Sequence, residues 1–140
     1  MGLGNIKASL ETFLNDNLTD VAIKWSNTNT YTLNGTALTE LQVANLTLFV
    51  EPLIIPLSED KTIFSNENGY KNEAIFQLTT YGKQNKGMGA IISNADTMNL
   101  LYREEIINDV VCEKSKYLAS FNVDEWVCLP IRIFVHKYFA

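Results

Sequence analysis

Between Trp126 and His136, Val127, Leu129, Ile131, Ile133 and Val135 recur at every second position, with Trp126, Cys128, Arg132, Phe134 and His136 interleaved. A period of two over that length fits a β-strand and no helix, because successive Cβ atoms of a strand point to opposite sides of a sheet. Pro130 interrupts the run without an N–H to donate, which predicts an edge or a bulge for part of this strand. The whole tail from Asp109 onward is predicted to supply two or three strands.

Leu3, Ile6, Leu10, Phe13 and Leu14 paint one stripe on a helix over about 4–17, which "NDNLTD" stops. Val21, Ile23 and Trp25 alternate with Ala22, Lys24 and Ser26 as a half-buried strand does. "SNTNTYTLNGT" reads as loop, with Asn34-Gly35 a favourable turn pair. "LTLFVEPLIIPL", residues 46–57, has strand composition, but Pro52 and Pro56 predict that its second half lies at an edge or leaves the sheet.

In "KNEAIFQLTTYG", Ala74, Phe76 and Leu78 share one face of a strand, and Glu73, Ile75 and Gln77 the other. Met88, Ile91, Ile92, Ala95, Met98 and Tyr102 then mark a second amphipathic helix over about 88–105, the natural cover for that strand. Helix, strands, helix, strands is not a steady βαβα alternation. The fold class it predicts is α+β, with a mainly antiparallel sheet and two helices packed on one face.

A chain of 140 residues, 46% of them hydrophobic, makes one compact domain over 1–140. "SEDKTIFSNENGYKNE" carries Ile63, Phe64 and Tyr70, so it is no flexible tether, and a long structured loop is expected at about 56–70. No window has the apolar length of a membrane span, and the start lacks the succession of a secretion signal, so a soluble, non-secreted protein without membrane partners is expected. Cys112 and Cys128 are accordingly expected as reduced, packed thiols. A formal charge of −5 with scattered basic residues argues against a nucleic-acid-binding module.

Motifs for chemistry fail one by one. Gly82 and Gly87 have the first spacing of a phosphate-binding loop, but Met88 and Gly89 stand where Lys and Ser or Thr must be. Gly82, Gly87 and Gly89 do not fit the dinucleotide fingerprint either. They read as a strand-to-helix turn, supplying positive φ values and letting the helix begin close to the sheet. His136, the single histidine, lies eight residues from Cys128, about 26 Å along a strand. A dyad with Cys112 lacks an orienting third residue. One histidine and two cysteines make no zinc pattern, and the pairs Glu59-Asp60, Glu104-Glu105 and Asp124-Glu125 read as solvated surface. The expectation is a protein that is not an enzyme, with no catalytic residue, metal or cofactor. The residues left over are apolar ones in irregular segments: Ile54, Ile55, Leu57, Ile63, Phe64 and Tyr70, a candidate subunit or partner interface.

The helix "IKASLETFL", the strand "LTLFVEP" and above all the unit "NGYKNEAIFQLTTYGKQNKGMGAIISNADTMNLLY" resemble the tail terminator (minor tail, tail completion) proteins of long-tailed bacteriophages. In such proteins a glycine-ended loop leads into a strand, a T-Y-G…G-x-G turn follows, and then comes the second helix. The resemblance spans about residues 4–110. It implies a virion protein of the tail-neck junction, assembled in the host cytoplasm. Six copies would form a ring that caps the tail tube, stops its polymerisation and faces the head connector or neck protein, while DNA passes through the lumen. Two other classes share these features in part: a different head-tail connector such as a neck or stopper subunit, and a small α+β ligand-binding domain.

Overall fold

The computed structural model describes residues 2–64 and 67–139, with side chains described outside 58–70. In chain order its elements are α1 (Gly2–Asn17), β1 (Ala22–Lys24), β2 (Tyr31–Leu33), β3 (Thr36–Ala37), α2 (Glu40–Ala44), β4 (Leu48–Phe64), β5 (Glu67–Lys83), α3 (Gly89–Tyr102), β6 (Ile106–Ile107), β7 (Val110–Tyr117), β8 (Phe121–Val123) and β9 (Trp126–Phe139). The nine strands form one sheet in the order β3-β2-β1-β4-β5-β9-β7-β6, with β8 pairing β9 beyond β7. Every pairing is antiparallel except β1 with β4. The fold is therefore α+β with a mainly antiparallel sheet.

Residues directly opposite each other in antiparallel strands share a face, so the register sorts every strand side chain. On β5 the even positions meet the helices. Tyr102 of α3 packs edge-on against Phe76, Asn94 donates to the Thr80 hydroxyl at 3.1 Å, and Gly82 lies against Ile91. Ala74, Phe76 and Leu78 face Val135, Ile133 and Ile131 of β9, which extends that face across the sheet. Ile6, Leu10 and Leu14 of α1 and Ile91, Ala95, Met98 and Tyr102 of α3 complete this core. The two helices are tied together where the buried Tyr102 hydroxyl donates to the Leu10 carbonyl at 2.7 Å.

Several sequence expectations change in detail. β2 and β3 form a hairpin inside the segment expected as loop, turning through Asn34 and Gly35 at φ 50° and 79°. Two positive φ values at the central residues match the twist of the flanking strands, which is why Asn-Gly serves there. α2 is a short helix started by a capping box between Thr39 and Gln42.

The stretch expected as a structured loop at about 56–70 is not a loop. β4 and β5 pair from Leu48↔Gly82 to Phe64↔Glu67, with Leu57 as the extra residue of a bulge. β9 accompanies β5 only as far as Tyr70↔Phe139, so the last three pairs of the hairpin have no third strand on the β5 side.

The prolines fit their positions. β1 pairs only with Phe49 and Val50, so β4 is an edge beyond them, as Pro52 and Pro56 require. Pro130 lies inside the sheet at neither an edge nor a bulge, because its register with β5 runs unbroken through Thr79. Its carbonyl accepts from Leu118 N–H at 3.0 Å in the gap between β7 and β8, while β5 flanks it on the other side.

Candidate functional site: the uncovered face of the sheet

The odd positions of β5 point away from both helices, and the register places Leu53 and Ile55 of β4 and Arg132, Phe134, His136 and Tyr138 of β9 beside them. Neither α1 nor α3 covers this second face. Leu33, Leu53, Ile106, Phe121, Val123 and Tyr138, half of the large apolar side chains left most exposed among the described residues, lie on it. Monomers seldom gather apolar surface in this way, and a sheet face in water normally alternates to polar residues.

At one end the face is a cluster of rings. Phe49 stacks on Tyr81 with centroids 4.6 Å apart and planes at 5°, and meets Trp126 and Tyr31 edge-on at 4.9 and 5.4 Å. Such offset and edge contacts add to simple burial. Lys83 Nζ stands 4.6 Å from the Trp126 ring and pairs with Glu125. Beneath the rings Glu51 accepts from Lys24 at 2.9 Å and from the Tyr81 hydroxyl at 3.2 Å. Burial, with the Glu51 carboxylate beside it, pushes the Tyr81 phenol well above its ordinary range.

Across the middle, Arg132 Nε donates to Gln77 Oε1 at 2.9 Å, and Lys114 lies over the Phe134 ring. At the far end His136 Nδ1 and Glu113 Oε2 are 2.9 Å apart, and Lys71 lies over the ring of Tyr138. Among the described side chains of this face cations outnumber carboxylates, the reverse of the chain as a whole. Lys24, Lys71, Lys83, Lys114, Lys116 and Arg132, six of the eleven Lys and Arg residues, stand on it. The carboxylates among its described side chains are Glu51, Glu73 and Glu113, with Glu125 at the rim.

The candidate interface read from the sequence is divided by this arrangement. Ile54 faces the helices and packs on the core, whereas Ile55, the next residue, lies on the uncovered face. Leu57 is exposed at the bulge. Ile63, Phe64 and Tyr70 are paired in the hairpin backbone, and their side chains lie outside those described. Sequence reasoning missed the ring cluster and the basic excess, because both are assembled from strands distant in sequence.

The thiols and the histidine stand apart. Cys112 pairs opposite Val135 on the helix side, while Cys128 lies on the other face opposite Tyr81. Both are buried and free. Burial pushes the Cys112 thiol up to about 12 and raises that of Cys128. His136 lies on the uncovered face, away from Cys112, so that pair makes no dyad.

No family model matches the sequence, and no curated protein matches it. One solved structure, 13% identical in sequence, superposes with a TM-score of 0.65 over 97% of this chain and 95% of its own. At that identity the likeness is one of fold: a second sequence builds the same arrangement of helices and sheet over nearly its full length.

Proposed function

We propose that this chain is a structural subunit of a ring, built by head-to-tail contacts between copies, of the kind that terminates the tail tube of a long-tailed bacteriophage. In this reading six copies close the ring at the tail-neck junction. One side of the ring meets the last tier of tail tube protein and the other meets the head connector or neck protein. DNA passes through the lumen without sequence-specific contact. The subunit has an assembly role and no catalytic one, and it needs no cofactor.

The observation that carries the reading is the uncovered sheet face, whose apolar and aromatic residues have the composition of an interface core. A closed ring uses two different patches of each subunit, which suits a chain with helices over one face of its sheet and an open, largely apolar second face. The resemblance of residues 4–110 to tail terminators supplies the identity of the ring. The test is native mass spectrometry of the purified protein at high concentration, with negative-stain imaging of the same sample. A closed hexamer with a central hole is expected, and binding to the ends of tail tubes separates a terminator from a neck or stopper subunit. A protein that stays monomeric both alone and with tube ends overturns the reading.

A further inference from the structure

We propose that the uncovered sheet face of one copy is covered by the outer side of α3 from the next copy. The inference rests on the ring reading and names the two surfaces that would build it.

The first surface is the uncovered sheet face, with apolar side chains between basic ones. The second is the side of α3 turned away from its own sheet. Ile91, Asn94, Ala95, Met98 and Tyr102 fill the inner side. Ile92, Asp96 and Leu100, spaced by four, form an outer stripe, and Ile92 and Leu100 are 45% and 67% exposed. A helix that is apolar on two sides is suited to burial on both, yet the sheet and α1 leave the outer stripe of α3 exposed. Asp96 sits within the stripe, accepting from the Tyr117 hydroxyl of β7. Glu104 and Glu105 follow the helix at its C-terminal end.

The two surfaces complement each other in both respects that matter. The sheet face lacks a helix, and the helix lacks a second sheet. On the sheet face Lys114, Lys116 and Arg132 are grouped on β7 and β9. Asp96 in the middle of α3 and Glu104 and Glu105 just beyond its C-terminal end supply the carboxylates. Because the surfaces lie on opposite sides of one subunit, joining them gives a heterologous contact, the type that closes a ring. Stacking is a poorer use of the sheet face: the Phe49, Tyr81 and Trp126 rings are packed against each other, and Lys83 lies over Trp126, so they do not offer the free ring faces on which bases stack.

Two charge-reversed proteins test the contact. One carries Lys114→Glu with Lys116→Glu on the sheet face, and the other carries Glu104→Lys with Glu105→Lys beyond α3; all four positions are exposed. Each is first checked for a wild-type melting midpoint. By native mass spectrometry each variant alone is expected to lose the assembled species that the wild type forms. An equimolar mixture should regain it with the two variants alternating, because each reversed face then meets a reversed helix end. Leu100→Ser should also lose assembly while melting like the wild type.

Wild-type assembly by either variant alone, or a mixture that stays dissociated, overturns this contact. If rings persist in those proteins the ring reading survives with other surfaces. A wild type that is monomeric alone and with tail-tube ends removes both. Binding of a single-stranded oligonucleotide that Lys114→Glu with Lys116→Glu abolishes would give the face to nucleic acid and also overturn the proposal.

Discussion

Single residues settle the glycine-rich stretch where β5 gives way to α3. Gly87, at φ 77°, supplies the left-handed turn. Gly82 serves a different purpose, because a Cβ there would stand 2.4 Å from Ile91 Cγ1 and 2.6 Å from Cδ1. Ile91 is buried in the core and has nowhere to retreat. Gly82→Ala is therefore expected to destabilise the protein by about 1–3 kcal/mol, the range for overpacking a filled core, read as a lower chemical-denaturation midpoint at constant slope. The turn was legible from sequence because glycine spacing reports backbone demands. Which glycine makes the close approach was not legible, since that depends on where α3 crosses β5.

At the scale of elements, legibility followed burial. α1, α3, β5 and β9 each bury one side along several turns or pairs, so their apolar residues keep a period. β2 and β3 span three and two residues, too few for any period to show. The last three pairs of the β4–β5 hairpin run past the end of β9, where backbone pairing alone makes a strand and no apolar alternation is required.

The free edge of β4 yields a prediction. Ser26 Oγ donates to the Pro52 carbonyl, so residue 52 turns its backbone groups toward that edge. Pro56, four residues on and before the bulge, shares that orientation. Both prolines thus remove outward donors from a strand that would otherwise invite edge pairing. Pro52→Val with Pro56→Val should raise concentration-dependent aggregation, followed by light scattering, while the monomer keeps its circular-dichroism spectrum. Unchanged scattering would show that the prolines do not guard the edge.

For the molecule as a whole, thiols and phenols that burial keeps protonated shape the response to alkali. Cys112 is pushed from its ordinary 9.0 up to about 12 by burial, with Glu105 adding to it. Tyr102 and Tyr81 are also raised above their ordinary 10.0, chiefly by burial. A group whose pKa is higher folded than unfolded holds its proton more tightly in the native state. Its contribution is complete below the unfolded value and is lost as pH rises through the folded one. The melting midpoint should therefore begin to fall above about pH 9 and fall faster above about pH 10. Cys112→Ala should weaken the first part of that decline. A midpoint flat to about pH 11 would contradict these placements.

The sequence by itself determined the elements that bury a continuous side: a stripe on each long helix, alternation along β5 and β9, and from their order an α+β fold. Local chemistry does this, because a helix or strand repeats its geometry every few residues and a buried side must repeat with it. Tertiary structure alone decided which of the two faces of the sheet would be covered. Alternation in β9 puts Ile131 and Ile133 on one side and Phe134 and Trp126 on the other, with apolar residues on both. Only the placement of both helices over the even side of β5 leaves the other face open, and only strand order brings Tyr31, Phe49, Tyr81 and Trp126 into one cluster. Contacts between residues far apart in sequence have no period to announce them.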